Sequence, residues 1–407
     1  MMRASGTRIE LAAPEQCMGC GACYASCGFG AISMVPDAKG FYRPDVNAER
    51  CRDCGACAFA CPAVGAATQK TEPLATLAAW DKDADDRAKA TSGGAFMLVA
   101  DAVLARGGWV CGAVMGQDMV VRHVVTRDRE VVDDMRGSKY VQSDVSEAIA
   151  ECLAHLQGGE EVLFTGVSCQ VDAMRRVAGS RYADSLLLVD VLCHGAPSPR
   201  FWRAYLDYRE WEEGDEIIGA RFRKKEPSWT VFSLELTFKT EHRLRAWCTV
   251  EDLYLRAFLG DYITQEVCHE CPYVGTGRVS DITLADFWGY VSETRRNRNT
   301  EEGISLVLAN TPKGKSVVEL LTGLHTIKKS LSEAVKGNGP LRSAFPANPK
   351  EEEFWSAFDV GGIEAVKGYL VPVRFSWKHR LSLFFNDHAY LLPVALRELL
   401  IDMRANE

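Results

Sequence analysis

The sequence predicts a two-part protein of the α+β or α/β class, in which a small cysteine-rich unit precedes a larger mixed α/β region. The chain has 407 residues, and eight of its 15 cysteines lie within the first 61 residues in two copies of one spacing pattern. Helix-like and strand-like segments alternate after residue 90. These observations divide the chain into the segments 1–72, 73–160, 161–345 and 346–407, and the last is predicted to be a helical tail.

Both cysteine runs have the C-x2-C-x2-C-x3-C spacing of bacterial ferredoxins, in which the fourth cysteine of each run binds the other of two 4Fe–4S clusters. We therefore predict a bacterial-type dicluster ferredoxin domain at 1–72. The predicted ligands are Cys17, Cys20, Cys23 and Cys61 for the first cluster, and Cys51, Cys54, Cys57 and Cys27 for the second. Zinc prefers two separated cysteine pairs around one ion, and a chain of this length buries a core without disulfides, so both alternatives are disfavoured.

The elements after the cysteine runs follow from hydrophobic periodicity and turn signals. Residues 73–90 are interpreted as a polar connector. The predicted helices are 95–106 (after the turn at 91–94), 144–157, 170–178, 198–208 and one after 310–314. The predicted strands are 109–115, 119–126, 162–165, 186–191, an antiparallel set within 216–247, 282–284 and 304–308. Because the 162–191 passage is a short strand–helix–strand unit, its two strands should be parallel.

Four later cysteines form a candidate third cluster site. Cys169 and Cys193 each follow one of the two parallel strands, so both should lie at the same edge of the sheet. Cys268 and Cys271 add a C-x2-C pair. We predict that the four converge on a third 4Fe–4S cluster, with zinc or no metal as the alternatives. Cys111, Cys152 and Cys248 are interpreted as ordinary buried thiols.

Two segments are candidates for binding a flavin. The turn Ser92-Gly93-Gly94 opens a helix, where free N–H groups favour phosphate, although a plain N-cap explains it equally well. The second segment is a loop with a cation, an aromatic ring and a hydroxyl, namely Ser138, Lys139 and Tyr140. Neither G-x-G-x-x-G after a strand nor a Walker loop occurs, which disfavours a classical Rossmann site.

Two further features have both a functional and a structural interpretation. His194 is either a proton donor near a cofactor or a hydrogen-bonded structural histidine. The basic run 221–225 either holds an anionic cofactor tail or forms a solvated strand face. No catalytic residue is assigned, and His194 or a group near Asp286 is only a hypothesis for a general acid.

Bulk composition narrows the class of protein. The net charge of −8 argues against a nucleic-acid partner. No apolar run is long enough to span a membrane, and no secretory signal is visible, so we expect a cytoplasmic protein with reduced thiolates. The aromatic, mildly basic segment 374–400 is interpreted as a packing helix, with a membrane-surface helix as the alternative.

Residues 88–330 resemble the beta subunit of coenzyme F420 hydrogenases and dehydrogenases. The matching segments are 91–94, 138–143, 166–170, 193–199, 222–224 with Trp229, 268–271 and 280–289. The preceding ferredoxin unit is similar to the arrangement in deazaflavin dehydrogenase subunits and in 7-hydroxymethyl chlorophyll a reductase. One departure is Val167-Ser168, where members often carry Thr-Pro before the cysteine.

The resemblance implies FAD, held partly by the turn at 92–94 and the Lys139 loop, and a 4Fe–4S cluster on the scattered cysteines. The expected protein is a flavin- and iron–sulfur-dependent oxidoreductase whose larger part is a mixed α/β FAD- and cluster-binding domain. It would pass electrons between a ferredoxin-type carrier and a hydride donor or acceptor, with coenzyme F420-type chemistry. Two alternatives stay open: a ferredoxin-dependent flavin reductase of a non-deazaflavin metabolite, such as a polysaccharide precursor or pigment, and a non-catalytic electron-transfer subunit of a larger complex.

Overall fold

The computed structural model describes residues 2–3, 9–226, 228–247, 251–290 and 302–371. Its strands are β1 (Met2–Arg3), β2 (Glu10–Leu11), β3 (Ile32–Pro36), β4 (Tyr42–Val46), β5 (Ala75–Asp81), β6 (Trp109–Met115), β7 (Val121–Thr126), β8 (Val162–Val167), β9 (Leu186–Val191), β10 (Ile217–Lys224), β11 (Ser233–Phe238), β12 (Arg243–Trp247), β13 (Ile282–Asp286), β14 (Ser305–Ala309) and β15 (Leu324–Lys329). Its α-helices are α1 (Ala22–Ala25), α2 (Ala56–Ala60), α3 (Ala84–Lys89), α4 (Ala95–Leu104), α5 (Arg129–Asp134), α6 (Ser146–Gln157), α7 (Ser168–Ala178), α8 (Pro199–Glu213), α9 (Leu253–Leu259), α10 (Pro312–Leu320), α11 (Leu331–Gly337) and α12 (Glu351–Val366).

The amino-terminal unit has an internal repeat that follows the two cysteine runs. The short helices α1 and α2 begin at equivalent positions, and each is preceded by a glycine in the left-handed region, Gly21 (φ 76°) and Gly55 (φ 77°). Only glycine adopts this conformation without strain, so each cysteine loop can turn sharply into its helix. The antiparallel hairpin β3–β4 lies between the two runs.

The larger region is built on an eight-stranded sheet with the order β15-β5-β14-β13-β9-β8-β6-β7. The four strands β13, β9, β8 and β6 are parallel to one another, and the outer strands add antiparallel pairs. The predicted parallel pairing of the 162–191 passage is therefore confirmed. The interpretation of 73–90 as a connector is wrong, because residues 75–81 form β5, which pairs with β14 and β15 inside this sheet.

Helices cover both faces of the sheet, and the alternation of side chains along the strands explains why. Leu163 and Leu187 face a core formed with α4, α5 and α10. Their neighbours Phe164 and Leu188 face the opposite core, which is formed with α6 and α7. Ala22 and Cys20 of the amino-terminal unit belong to that second core, so the ferredoxin-like unit packs on the α6–α7 side of the sheet.

A second, smaller sheet has the order β10-β11-β12 and is antiparallel, as predicted for 216–247. It packs with α8, α9 and α12 around an aromatic core whose buried members include Phe201, Trp202, Tyr205 and Tyr254. This core supports the helix α9, which leads into the segment that carries the last cysteine pair.

Several sequence predictions fall on residues that lie outside the described part of the chain. These are the interpretation of Cys248 and that of the segment 374–400. In the described part, the helical tail is represented by α12. No helix among the described residues is both long and apolar enough to cross a bilayer.

Candidate iron–sulfur and cofactor site

The four cysteines predicted to form a third cluster site line one cavity. The cavity has a volume of about 50 Å³, and its walls include Cys169, Cys193, Cys268 and Cys271. A single water needs only ~10–15 Å³, so this space accommodates more than one small molecule. Cysteines that are roughly 100 positions apart in the sequence therefore line the same cavity.

The parallel strands position two of these cysteines. Cys193 follows the carboxyl end of β9, and Cys169 lies in the first turn of α7, immediately after the carboxyl end of β8. Cys169 was predicted to lie in a loop, but the helix already begins at Ser168 because the strand passes directly into it. The positive end of the helix dipole then favours a thiolate at Cys169. Cys268 lies in the 3₁₀ turn Glu266–Glu270, and Cys271 ends that turn.

The thiols in this cavity are close enough to perturb one another. Burial raises the pKa of Cys193, and the neighbouring thiols of Cys268 and Cys271 raise it further. Burial also raises the pKa of Cys268 to about 12. Without metal these thiols would stay protonated, whereas iron takes the place of the protons and stabilises thiolates in a buried site. The donor set and its burial therefore fit an iron–sulfur cluster.

No group of three or more His, Cys, Asp or Glu side chains in the described part of the chain is arranged to hold a single metal ion. A cubane makes a different demand on its ligands. Each of its four thiolates binds a different iron, so the ligands stand farther apart than those of one ion.

A buried polar network, which sequence reasoning missed, lies beside the third cysteine cavity. Asp190 at the end of β9 is fully buried and accepts hydrogen bonds from Ser168 (2.7 Å), Ser280 (2.7 Å) and the guanidinium of Arg278. Arg278 also donates to the carbonyl oxygen of Tyr273 at 2.9 Å. The network uses the hydroxyl of Ser168, which a proline at this position would not supply.

The amino-terminal cysteines fall into the two predicted sets. A cavity of about 20 Å³ is lined by Cys17, Cys20, Cys23 and Cys61. In the second set, burial raises the pKa of Cys57, and the neighbouring thiols of Cys27 and Cys54 raise it further. Cys51 packs in the same small core as Cys57. The fourth cysteine of each run thus lies with the first three of the other run, as the ferredoxin pattern requires.

The first cysteine loop is fixed to the larger region by polar contacts. The side-chain amide of Gln265 donates to the carbonyl oxygen of Cys17 at 2.6 Å, and Arg43 donates to the same oxygen. The backbone N–H of Tyr42 donates to Gln142 at 2.9 Å. Gln142 belongs to the 138–143 segment, so this part of the family pattern joins the two units.

Gly19 provides a test of how the first loop is built. Its φ is +62°, and an added Cβ would lie 2.5 Å from Nε2 of Gln142 and 2.8 Å from the carbonyl oxygen of Tyr42. We expect Gly19→Ala to impair assembly of the first cluster, because left-handed backbone alone costs ~1–2 kcal/mol and the clash adds to it. Gly28→Ala is the matched control, since no atom of the residues described in the structure lies within 4 Å of its added Cβ. Iron content of the reconstituted chain should fall in the first variant and stay at the parent value in the control; equal iron contents would contradict the prediction.

The two candidate flavin segments lie next to each other. The backbone N–H of Ser138 donates to the hydroxyl of Thr91 at 3.0 Å. Gly93, however, packs tightly: its N–H donates to Ser305, and an added Cβ would lie 2.3 Å from the carbonyl oxygen of Ala79. The glycine at 93 is therefore required for packing against β5 and β14, which favours the structural interpretation of that residue. Gly94, unlike Gly93, is in the left-handed region (φ 94°) and is the N-cap of α4.

Lys139 is directed toward protein oxygens. Its ammonium group donates to the carbonyl oxygens of Asp134 (2.6 Å), Arg136 (3.3 Å) and Gly137 (3.3 Å). Burial lowers the pKa of Lys139 to about 7. An anion nearby would raise this pKa again, so the site still favours a negatively charged ligand.

The basic run 221–225 lies against the turn at 91–94, not on a free strand face. Lys225 donates to the carbonyl oxygen of Ser92 at 2.6 Å, and Arg221 donates to that of Lys89 at 2.7 Å. Arg223 is buried, donates to Tyr140 (3.0 Å) and Asp286 (2.9 Å), and has no partner for its Nε and Nη2 among the described residues. Spare buried cationic donors beside the two segments fit an anionic cofactor.

His194 lines the third cysteine cavity and is held on two sides. Its Nε2 lies 2.9 Å from a carboxylate oxygen of Asp261, and its ring stacks on Phe345 with the centroids 3.9 Å apart. Phe258 contacts both His194 and Tyr140, with centroids 5.1 Å apart in each case. These contacts favour the structural interpretation of His194, and they connect the cavity wall through aromatic rings to the Tyr140 and Arg223 group.

Comparison with known proteins bears on both units. Residues 16–66 match the family model described as 4Fe-4S dicluster domain, and residues 159–329 match the model for the C terminus of the coenzyme F420 hydrogenase/dehydrogenase beta subunit. A chain from a solved structure of the F420-reducing NiFe hydrogenase complex of Methanosarcina barkeri is similar over 72% of this chain and 94% of that chain, with 18% sequence identity and a TM-score of 0.46. The comparison with curated proteins found no match.

The family matches confirm the resemblance predicted from the sequence. The amino-terminal unit is a 4Fe–4S dicluster domain, and the following region carries the carboxyl-terminal part of the F420 hydrogenase/dehydrogenase beta-subunit pattern. The chain therefore combines a 4Fe–4S dicluster domain with a region similar to the carboxyl-terminal part of the coenzyme F420 hydrogenase/dehydrogenase beta subunit.

Proposed function

We propose that this protein passes electrons between a ferredoxin-type carrier and a hydride donor or acceptor, through three 4Fe–4S clusters and one FAD, with coenzyme F420-type chemistry. The observation that carries the proposal is the meeting of Cys169, Cys193, Cys268 and Cys271, all partly buried, in one cavity beside the dicluster unit. Burial raises the pKa of Cys169, and the next largest cause is the nearby thiol of Cys20, a member of the first ferredoxin set. Met18 lines both this cavity and the cavity of the first ferredoxin set, which supports electron transfer between the two cysteine sets.

Electrons are proposed to enter at the second ferredoxin set. Cys54 is exposed, whereas Cys20 and Cys23 of the first set are buried. The side chain of Phe59, on the helix that carries Cys57, is 80% exposed. An exposed ring beside the outermost thiolates is suited to transient contact with a soluble redox protein.

At the inner end, the residues of this chain would hold the cofactor and the substrate. Arg223 and Lys225 would balance anionic groups, Tyr140 would be positioned by the hydrogen bond from Arg223, and the turn before α4 would offer backbone N–H groups. A bound flavin supplies the conversion between single electrons and a hydride. We also propose a cytoplasmic location and assembly into a larger complex, in keeping with the thiolate ligands and the family matched.

Cofactor analysis of the full chain tests this proposal. After anaerobic reconstitution we expect about twelve iron and about twelve sulfide per chain, since three cubanes carry four of each. Extraction should release one FAD per chain. Reduced deazaflavin should then bleach the flavin and cluster absorbance, and an artificial one-electron acceptor should restore it.

The outcomes separate the alternatives. Iron that saturates near eight would remove the third cluster. An iron content of about twelve per chain without bound flavin would favour the alternative that the chain is a non-catalytic electron-transfer subunit. In a third outcome, the chain binds flavin, and this flavin accepts electrons from reduced ferredoxin but not from reduced deazaflavin. That result would favour a flavin reductase that acts on another metabolite.

A further inference from the structure

A buried carboxylate lies between the first ferredoxin cysteine set and the third cysteine cavity. Asp172, on α7, has only 1% of its surface exposed. It stands three residues after Cys169 on the same helix, which places both side chains on one face. Neither the cysteine patterns nor the family match assigns it a role.

Contacts from both sides hold this carboxylate in place. The hydroxyl of Tyr273 donates to Oδ2 of Asp172 at 2.7 Å, and Nε of Arg176 donates to the same oxygen at 2.9 Å. Arg176 also donates to the carbonyl oxygen of Ala66 in the amino-terminal unit at 2.6 Å. Oδ1 of Asp172 is buried and has no hydrogen-bond partner among the described residues.

The surroundings of Asp172 reach both cysteine sets. Its chain neighbours Val171 and Ala173 pack in the same core as Cys20, which lines the first ferredoxin cavity. Its hydrogen-bond partner Tyr273 lines the third cavity, and the backbone N–H of Tyr273 donates to the sulfur of Cys271 at 3.4 Å. Asp172 therefore faces the route between the two sites.

We propose that Asp172 is a positioning residue for electron transfer, a fixed negative charge that lowers the reduction potentials of the first ferredoxin cluster and of the third cluster together. The proposal rests on the clusters of the proposed function. One electron leaves one site and enters the other in this step, and no bond or proton changes place. A negative charge at the shared boundary disfavours the added electron on either side, so it keeps the two potentials matched at a lower level.

The physical reason is the low polarity of the boundary. Charges interact more strongly inside a protein than in water, and net charge and hydrogen bonding near a cluster set its potential. Arg176 offsets part of the carboxylate charge from one side only, because it binds Oδ2 and leaves Oδ1 without a partner among the described residues. The ion pair has no net formal charge, so the field at the boundary is that of a dipole whose negative end is the more deeply buried carboxylate of Asp172.

Redox titration of the reconstituted full chain, followed by electron paramagnetic resonance, tests the proposal in Asp172→Asn. We expect both clusters to become easier to reduce, so that the ratio of reduced to oxidised cluster at a fixed applied potential rises roughly three- to tenfold. Asp252→Asn is the matched control. Asp252 is also fully buried and accepts from a tyrosine hydroxyl, that of Tyr205 at 2.5 Å, but Tyr205 belongs to the aromatic core and, unlike Tyr273, lines neither cysteine cavity.

Arg176→Met gives a second, independent readout with the opposite sign. Loss of its positive charge should make both clusters harder to reduce, and this variant decides the matter if Asp172→Asn does not retain its clusters. Unchanged titrations in the variants that hold their clusters, or equal shifts in Asp252→Asn, would overturn the proposal. Iron that saturates near eight in the unmodified chain would instead overturn the three-cluster function, and the shift at the first ferredoxin cluster would still test Asp172.

Discussion

Cys193→Ser should remove the third cluster and leave the dicluster domain intact. The thiol lines the third cavity, and burial, together with the thiols of Cys268 and Cys271, raises its pKa, so it is an integral part of that site. We expect iron and sulfide to fall from about twelve to about eight per chain. Transfer from deazaflavin to a one-electron carrier should fall with it, because the proposed relay between the flavin and the dicluster domain is removed.

Cys152→Ala is the matched control for this variant. Cys152 is also a fully buried cysteine, on α6, but it packs against Cys111 in the apolar core and lines neither cavity. We expect it to keep the full iron content and the transfer rate. Iron near twelve in Cys193→Ser, or iron loss that is equal in Cys152→Ala, would contradict the assignment of Cys193 as a ligand.

The parts of the site that were predicted from the sequence depend on short-range rules. The cysteine spacing of each run predicts the swap of Cys27 and Cys61 because ferredoxin loops have little freedom. The position of Cys169 and Cys193 after parallel strands predicts that they meet, because the carboxyl ends of such strands share an edge. Both inferences needed only local patterns and one topological rule.

The features that sequence reasoning missed depend on long-range pairing. β5 has few charged residues, yet it was interpreted as a connector because the strands that bury it, β14 and β15, come more than 200 positions later. Asp172 and Tyr273 are likewise about 100 residues apart, and neither carries a motif of its own. The only signals were the spacing of Asp172 from Cys169 on one helix and that of Tyr273 from Cys271.

The flavin segments show where a motif supports more than one role. Ser92-Gly93-Gly94 does lie beside the Lys139 loop, as a shared ligand would require. The need for glycine at 93 nevertheless comes from the carbonyl oxygen of Ala79, which a Cβ would strike. A sequence cannot tell a glycine that makes room for phosphate from one that makes room for a strand, since both need the absence of a side chain.

Arg278→Met should give the largest loss of stability outside the cysteines. Arg278 and Asp190 are 2% and 0% exposed, and removal of the guanidinium leaves the carboxylate with only the hydroxyls of Ser168 and Ser280 as partners in the part of the chain that the structure describes. Breaking a buried ion pair from one side costs about 3–5 kcal/mol in the free energy of unfolding. Urea unfolding followed by tryptophan fluorescence should show a correspondingly lower midpoint.

Two comparison variants separate charge from packing in this result. Arg106→Met breaks an exposed pair with Glu161 and should cost less than about 1 kcal/mol. The double variant Asp190→Asn with Arg278→Met removes both charges and should recover part of the stability, because the main penalty comes from the carboxylate left without its counter-ion. If Arg278→Met lowered the free energy of unfolding as little as Arg106→Met, the network beside the third cavity would not be what fixes Ser168 and Tyr273. The positions of Cys169 and Cys271 would then have to be set by the cluster itself.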